Sequence, residues 1–348
     1  MVQKNLFNIA LLIIIFVGIL IGRFLTPDTV EKIQPVLLDD FQMPTLQPIR
    51  ERNWKASPKL KLIDNTEMNK NSPLLNPGIM KVYENKGIFI FDYGDLYLKK
   101  FSLEGTLIKK YGNGRGKNPG EFGNPSDFVV TEDGFIWIAD PVNRVISSFN
   151  PEGCLIHYIR TISKPYRLLW KYDTEEIIVM PESGENLFEV YNLKGEHTDS
   201  FGKLIKNQKE NFLVLDGYIT SLDSNCFLYA PLYAGFILSY SKDKRLNFYI
   251  QMIEPKPLPK IIKNISGQRH VERNTYYATL CVNSVGNEVF ILSEYESEKK
   301  PNRTIDVYSS KTGFYLYSIH PPEPSSYVFV TKNYLYILSK TGVSRWQR

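Results

Sequence analysis

The chain has 348 residues, 13% of them aromatic, and carries 42 Lys and Arg against 37 Asp and Glu, a formal net charge of +5. Its three cysteines, Cys154, Cys226 and Cys281, are an odd count without metal-like spacing. That excludes a full disulfide framework, allows at most one pair, and leaves small core residues as the expectation. The four histidines, His157, His197, His270 and His320, are scattered with no i, i+2 or i, i+4 pair, so the usual histidine metal motifs are missing as well.

Residues Asn5 to Gly22 carry no charge, and most are Leu, Ile, Phe or Val. Such a run reaches the lower end of what spans a bilayer core of ~30 Å as a helix. Leu20-Ile21-Gly22 is a poor cleavage site, which favours an uncleaved anchor over a signal peptide. The expectation is a short cytoplasmic head at 1–5 and a transmembrane anchor at 6–22, with the rest of the chain outside. Residues 23–58 hold Pro27, Pro35, Pro44, Pro48 and Pro58 with little periodicity and read as a tether of roughly 30 Å.

From residue 59 the pattern changes to short strands. Alternating apolar runs stand at Ile88–Phe91, Ile136–Ala139, Ile177–Met180, Phe227–Ala230, Val289–Leu292 and Leu335–Leu338. They are rich in β-branched and aromatic residues and too closely bounded by turns to be helices. Between them recurs an aromatic residue, a polar turn and usually a glycine: Phe101 to Gly105, Phe149 to Gly153 and Tyr191 to Gly195. Tyr240 to Lys244 lacks the glycine, and Tyr308 to Gly313 is one residue longer. A glycine there accommodates positive φ in a tight hairpin. A repeat of roughly 40–60 residues made only of strands predicts an all-β propeller, here with six blades over residues 59–348. The last blade lacks an outer strand, and Lys59–Ile63 is expected to supply it by pairing near Val343–Trp346, which also protects a sheet edge.

The second blade carries a denser motif. Tyr111-Gly-Asn-Gly-Arg-Gly-Lys-Asn-Pro-Gly-Glu-Phe122 leads into Asn124-Pro-Ser-Asp127, then Asp133 to Asp140, Asn143-Arg144-Val-Ile146 and Phe149. This stretch, residues 111–153, resembles an NHL repeat, and the resemblance implies an NHL-like propeller of the membrane-attached kind common in bacterial envelopes. It decays in the other blades. Gly112, Gly114 and Gly116 lack the following helix and Lys-Ser/Thr of a phosphate loop and are expected to turn the chain between blades. Asp140 and Asn143 are expected to fix loops by hydrogen bonding.

The stretches that join one blade to the next hold fifteen Lys and Arg against five Glu, so a basic face is expected. Its candidate contributors are Arg115, Lys117, Arg144, Lys164, Arg167, Lys206, Lys260 and Arg269. The closing strand would bring the tether in from the opposite face, directing the basic face away from the membrane. No nucleophile elbow frames Ser126, Ser183 or Ser221. Asp127, at the channel-proximal start of an inner strand, is the best single acidic candidate for a channel site. The expected function is binding or scaffolding of a protein or anionic polymer at the basic face, with no cofactor or metal assigned and membrane contact through the N-terminal helix only. The alternative is an envelope lactonase- or lyase-like enzyme with calcium or zinc in the channel. A nucleic-acid-binding NHL module would require the N-terminal segment to be no anchor.

Overall fold

The computed structural model describes residues 31–348, apart from 39–40, 42, 49–50, 68–73, 172–173, 207–210, 242, 265, 273–275, 298–299, 325–326 and 341. The expected head and anchor lie outside the described residues. Among those described, no helix is long and apolar enough to cross a membrane.

Six four-stranded antiparallel sheets follow one another along the chain. Their innermost strands are Pro77–Tyr83, Asp127–Val130, Pro165–Lys171, Gly217–Ser221, Cys281–Val285 and Tyr327–Val330. Each apolar run singled out in the sequence forms the second strand of its sheet, buried on both faces. In the sixth sheet the outer strand is Lys61–Glu67, paired with Gly342–Gln347 in the register Leu62 to Trp346 and Glu67 to Gly342. A further three-stranded sheet combines Glu31–Ile33, Ile261–Lys263 and Arg269–Val271. One helical turn, Asn211–Leu215, departs from the all-strand expectation.

Apolar packing arranges these sheets in a ring. Phe89 and Phe91 of the first sheet pack on Phe128 and Ile138 of the second, and similar clusters join each sheet to the next. Met80 and Ile90 meet Tyr336 and Leu338, so the sixth sheet returns to the first. The recurrent aromatic residue explains itself here. Phe101, Phe149, Tyr191, Tyr240 and Tyr308 each end or lie near the end of a third strand and pack against the preceding sheet. Trp346 holds that place in the sixth sheet, packed on the fifth. The turns also obey the expected geometry: Gly105, Gly153, Gly195 and Gly313 have φ of 84°, 89°, 83° and 72°. Lys244 holds the same left-handed conformation, φ 63°, without being glycine.

Two expectations about residues 23–58 need correction. The described part, from 31 onward, is no free tether. Leu38 N–H donates to Leu204 O, Thr45 N–H to Tyr249 O and Gln251 N–H to Thr45 O. Arg52 pairs with Asp306 and Glu254, and Trp54 stacks on His320 at 3.7 Å. These backbone groups find sheet partners, and Ile33, Leu37 and Phe41 cover apolar surface that the outer strands leave open. The segment is a strap that runs from the connection after the third sheet across the fourth to the fifth.

Its point of arrival also differs. Glu31–Ile33 pairs with a strand of the connection between the fourth and fifth sheets, and Lys206 N–H donates to Val36 O in the connection before the fourth. The strap therefore begins on the side of the inter-sheet connections and only then crosses the outer strands. The cysteine expectation holds for one residue: Cys281 is buried, whereas Cys154 is exposed and Cys226 half-buried, all free.

Candidate functional site: the central cavity and the loop face

The six innermost strands surround a cavity of about 940 Å³. Its charged lining is Lys81, Arg115, Arg167, Arg303 and Asp127, four cations with one carboxylate. Tyr93, Tyr166, Tyr218 and Tyr327 supply most of the aromatic wall at one end. Tyr166, Tyr218 and Tyr327 stand at the first or second position of their innermost strands, whose inner edges border the cavity.

Arg167 is the most tightly held of these groups. Its guanidinium carbon lies 4.3 Å from the ring centroids of both Tyr166 and Tyr218, a cation held between two π faces. Nε donates to Gly217 O at 3.0 Å and Nη1 to Ser126 O at 2.8 Å. One side chain thus ties the second, third and fourth sheets. Burial opposes the charge, but Tyr218, Tyr166, Asp216 and Asp127 outweigh it and hold its pKa above the usual arginine value. Burial also pushes the phenols of Tyr93, Tyr218 and Tyr327 upward, so they remain neutral donors. Asp216, just before the fourth sheet, is pushed up to about 6 by burial despite the Arg167 charge. Its Oδ1 is buried without a hydrogen bond among the described residues.

Asp127 occupies the channel but is committed to structure. It is 7% exposed, pairs with Lys81 Nζ at 2.9 Å, and accepts Phe128 N–H at 2.8 Å and Leu168 N–H at 3.0 Å. A carboxylate engaged on both oxygens joins three sheets and is no exposed acid.

The basic candidates divide among separate places. Arg115 and Arg167 line the cavity, and Arg167 lies in an innermost strand, not in a loop. Arg144 and Lys164 border a second hollow of about 430 Å³ together with Glu182 and Glu189. Lys164 pairs with Glu182 at 2.9 Å. Lys117, Lys206 and Lys260 are exposed, and Arg269 lies in the three-stranded sheet opposite Lys263. Nearby, Lys263 pairs with Glu31 and Lys32 with Glu272, each at 2.7 Å, so the strap offsets part of the positive charge there.

These loops are nonetheless gathered on one side. The connections between sheets bond to turns that join second and third strands: Asn143 Nδ2 donates to Gly116 O, Thr161 N–H to Arg144 O and Tyr93 N–H to Asn76 O. Asp140 acts as the clasp expected of it, accepting N–H groups of Gly123, Asn124, Val142 and Asn143. Asp92 does the same for Leu75, Asn76 and Gly94 in the first sheet.

The histidines stand away from the cavity. His157 stacks near Trp137, His320 on Trp54, and His197 bonds Ser200. Among the described residues no group of three or more His, Cys, Asp or Glu is placed to hold a metal ion.

No family model matches the chain, and no curated protein matches it. Solved structures do. A protein described as exported from Bacteroides fragilis NCTC 9343 aligns with TM-score 0.57 and 12% identity over 87% of this chain and 97% of its own. A member of the DUF4221 family from Bacteroides vulgatus aligns with TM-score 0.58 and 12% identity, covering 83% and 97%. A catalytically inactive virginiamycin B lyase from Staphylococcus aureus, solved with quinupristin, gives 0.54 and 12%, covering 83% and 100%. The fold is a β-propeller. At such identities the likeness concerns the fold alone.

Proposed function

We propose that this chain is an anchored extracytoplasmic propeller, six-bladed and of the NHL type, that works as a binding or scaffolding module through its loop face. The six four-stranded sheets and the Asp140–Asn143 clasp beneath the glycine-rich loop support the NHL assignment. The apolar run at 6–22 supports the anchor, and the description of one similar structure as an exported protein agrees with an extracytoplasmic site.

The observation that carries the reading is the gathering of inter-sheet connections and hairpin turns on one side, with Arg115 at the cavity and Lys117, Lys206 and Lys260 exposed around it. A protein surface or anionic polymer is the partner such a face attracts. Because the strap arrives on this side, an anchor ending at residue 22 leaves only residues 23–30 before it, at most about 28 Å when extended. The partner is then met close to the bilayer.

Heparin, a long polyanion, is the probe. Full-length protein carrying Arg115, Lys117, Lys206 and Lys260 all changed to Glu should bind it at least about tenfold more weakly at low salt. Its melting temperature should stay nearly constant, since exposed charges contribute little to stability. Equal binding by the two proteins would overturn the loop-face reading.

A further inference from the structure

The cavity holds more recognition chemistry than a scaffold requires. Arg167 spends Nε and Nη1 on backbone carbonyls, while Nη2 makes no hydrogen bond among the described residues. The hydroxyls of Tyr218 and Tyr327 likewise have no hydrogen-bond partner there, and both residues line the cavity. Tyr218 is stacked on the guanidinium, and the charge of Arg167 is felt by both phenols. Burial keeps them protonated, so each can donate but neither repels an anion. Lys81 is neutralised by Asp127, which leaves Arg115 and Arg167 to give the lining its positive character.

We propose that the central cavity binds a small molecule carrying one anionic group, a carboxylate or a phosphate, on a ring-shaped body. Nη2 of Arg167 and the hydroxyls of Tyr218 and Tyr327 bind the anionic group. The tyrosine faces hold the body, and a volume of about 940 Å³ accommodates it with water. A guanidinium already fixed by two backbone bonds and two rings loses little freedom on binding, which favours affinity. A phenol that donates without ionising selects the charged form of a ligand over its neutral isostere. The site shares Arg115 with the loop face but not Lys117, Lys206 or Lys260, so either proposal can fail alone.

The test uses full-length protein and calorimetric titration with benzoate, its neutral counterpart benzamide, and inorganic phosphate. Benzoate should bind at least about tenfold more tightly than benzamide, the difference one charge-assisted hydrogen bond supplies. Changing Tyr218→Phe and Tyr327→Phe together keeps the rings and removes only the hydroxyls. That variant should lose about tenfold in benzoate affinity while its benzamide affinity is unchanged. Arg115→Gln provides a second variant that leaves the Arg167 stack intact, and it should weaken both anions. The loop variant with Arg115 retained and Lys117, Lys206 and Lys260 changed to Glu should bind benzoate normally. Equal binding of benzoate and benzamide, failure of both anions to bind at millimolar concentration, or indifference to loss of the two hydroxyls would each overturn the proposal.

Discussion

Arg52 and Asp306 form a two-pronged ion pair, Nε to Oδ1 and Nη2 to Oδ2, both at 3.0 Å, across 254 residues of sequence. The Asp306 side chain is 2% exposed and also accepts Ser318 Oγ at 2.6 Å. A carboxylate so deeply placed depends on its partner, and the partner comes from the strap. Truncating Arg52 to Ala should therefore cost about 3–5 kcal/mol, because it leaves a buried charge unpaired. Urea unfolding of the full-length protein measures this. A loss below about 1 kcal/mol, the value of an exposed pair, would mean the strap does not hold the ring.

Lys244 offers a test of turn geometry with the opposite sign. It takes the left-handed conformation that glycine holds in four sister turns, at a cost of about 1–2 kcal/mol for a residue with a side chain. Its partly exposed pairing with Asp199 returns only a fraction of that. Lys244→Gly should raise stability by up to about 1 kcal/mol, read as a higher denaturation midpoint. Destabilisation would show that the lysine contacts, and not the backbone, decide this turn.

Asp216 should make stability depend on pH in an unusual direction. Its pKa rises from 3.8 to about 6 on folding because burial penalises the charged form. The folded state therefore binds the proton more tightly, and this residue's contribution is complete below about pH 4 and lost as pH climbs through about 6. Asp216→Asn should accordingly stabilise the protein at pH 7 relative to wild type. The gain should shrink toward pH 4, by at most about 1.4 kcal/mol per unit. An identical difference at both pH values would contradict the assignment.

The strap also predicts an orientation. Donor dyes at Lys260→Cys, on the loop side, and at Asn287→Cys, in a turn between first and second strands, can be compared against acceptors in the bilayer, each with the natural cysteines replaced. Energy transfer should be stronger from position 260. Stronger transfer from position 287 would place the loop face away from the membrane and displace the account of how the strap is connected.

Much of the architecture was legible because it is written in local patterns. Second strands are buried on both faces, so they read as unbroken apolar runs, and the turn glycines have a backbone reason. Trp346 escaped notice although it plays the same part as Phe101 and Tyr191. Its neighbour strand is Lys61–Glu67, so no turn follows it to complete the phrase. The strap misled for a related reason. Its attachments are single residues spaced among prolines, such as Thr45, Arg52 and Gln47, whose side chain donates to Gly313 O and accepts Tyr315 N–H, and backbone hydrogen bonding leaves no side-chain periodicity. At the site, Arg115 and Arg167 were found through charge, but charge alone classed Arg167 with the loops. The tyrosines around it sit at equivalent places in different sheets, a relation visible only once the innermost strands are aligned in space. Asp127 lines the cavity, whereas its engagement by Lys81 depends on a contact between sheets that no sequence pattern carries.

Hydrogen–deuterium exchange of full-length protein with and without heparin tests the loop-face claim most directly. Bound polyanion should slow exchange in the connections at 112–126, 161–164 and 202–206, which carry Arg115, Lys117, Lys164 and Lys206. The turns on the opposite side, around Asp133, Asn225 and Asn287, should exchange at their original rates. Protection confined to those opposite turns, or to the outer strands, would contradict the account.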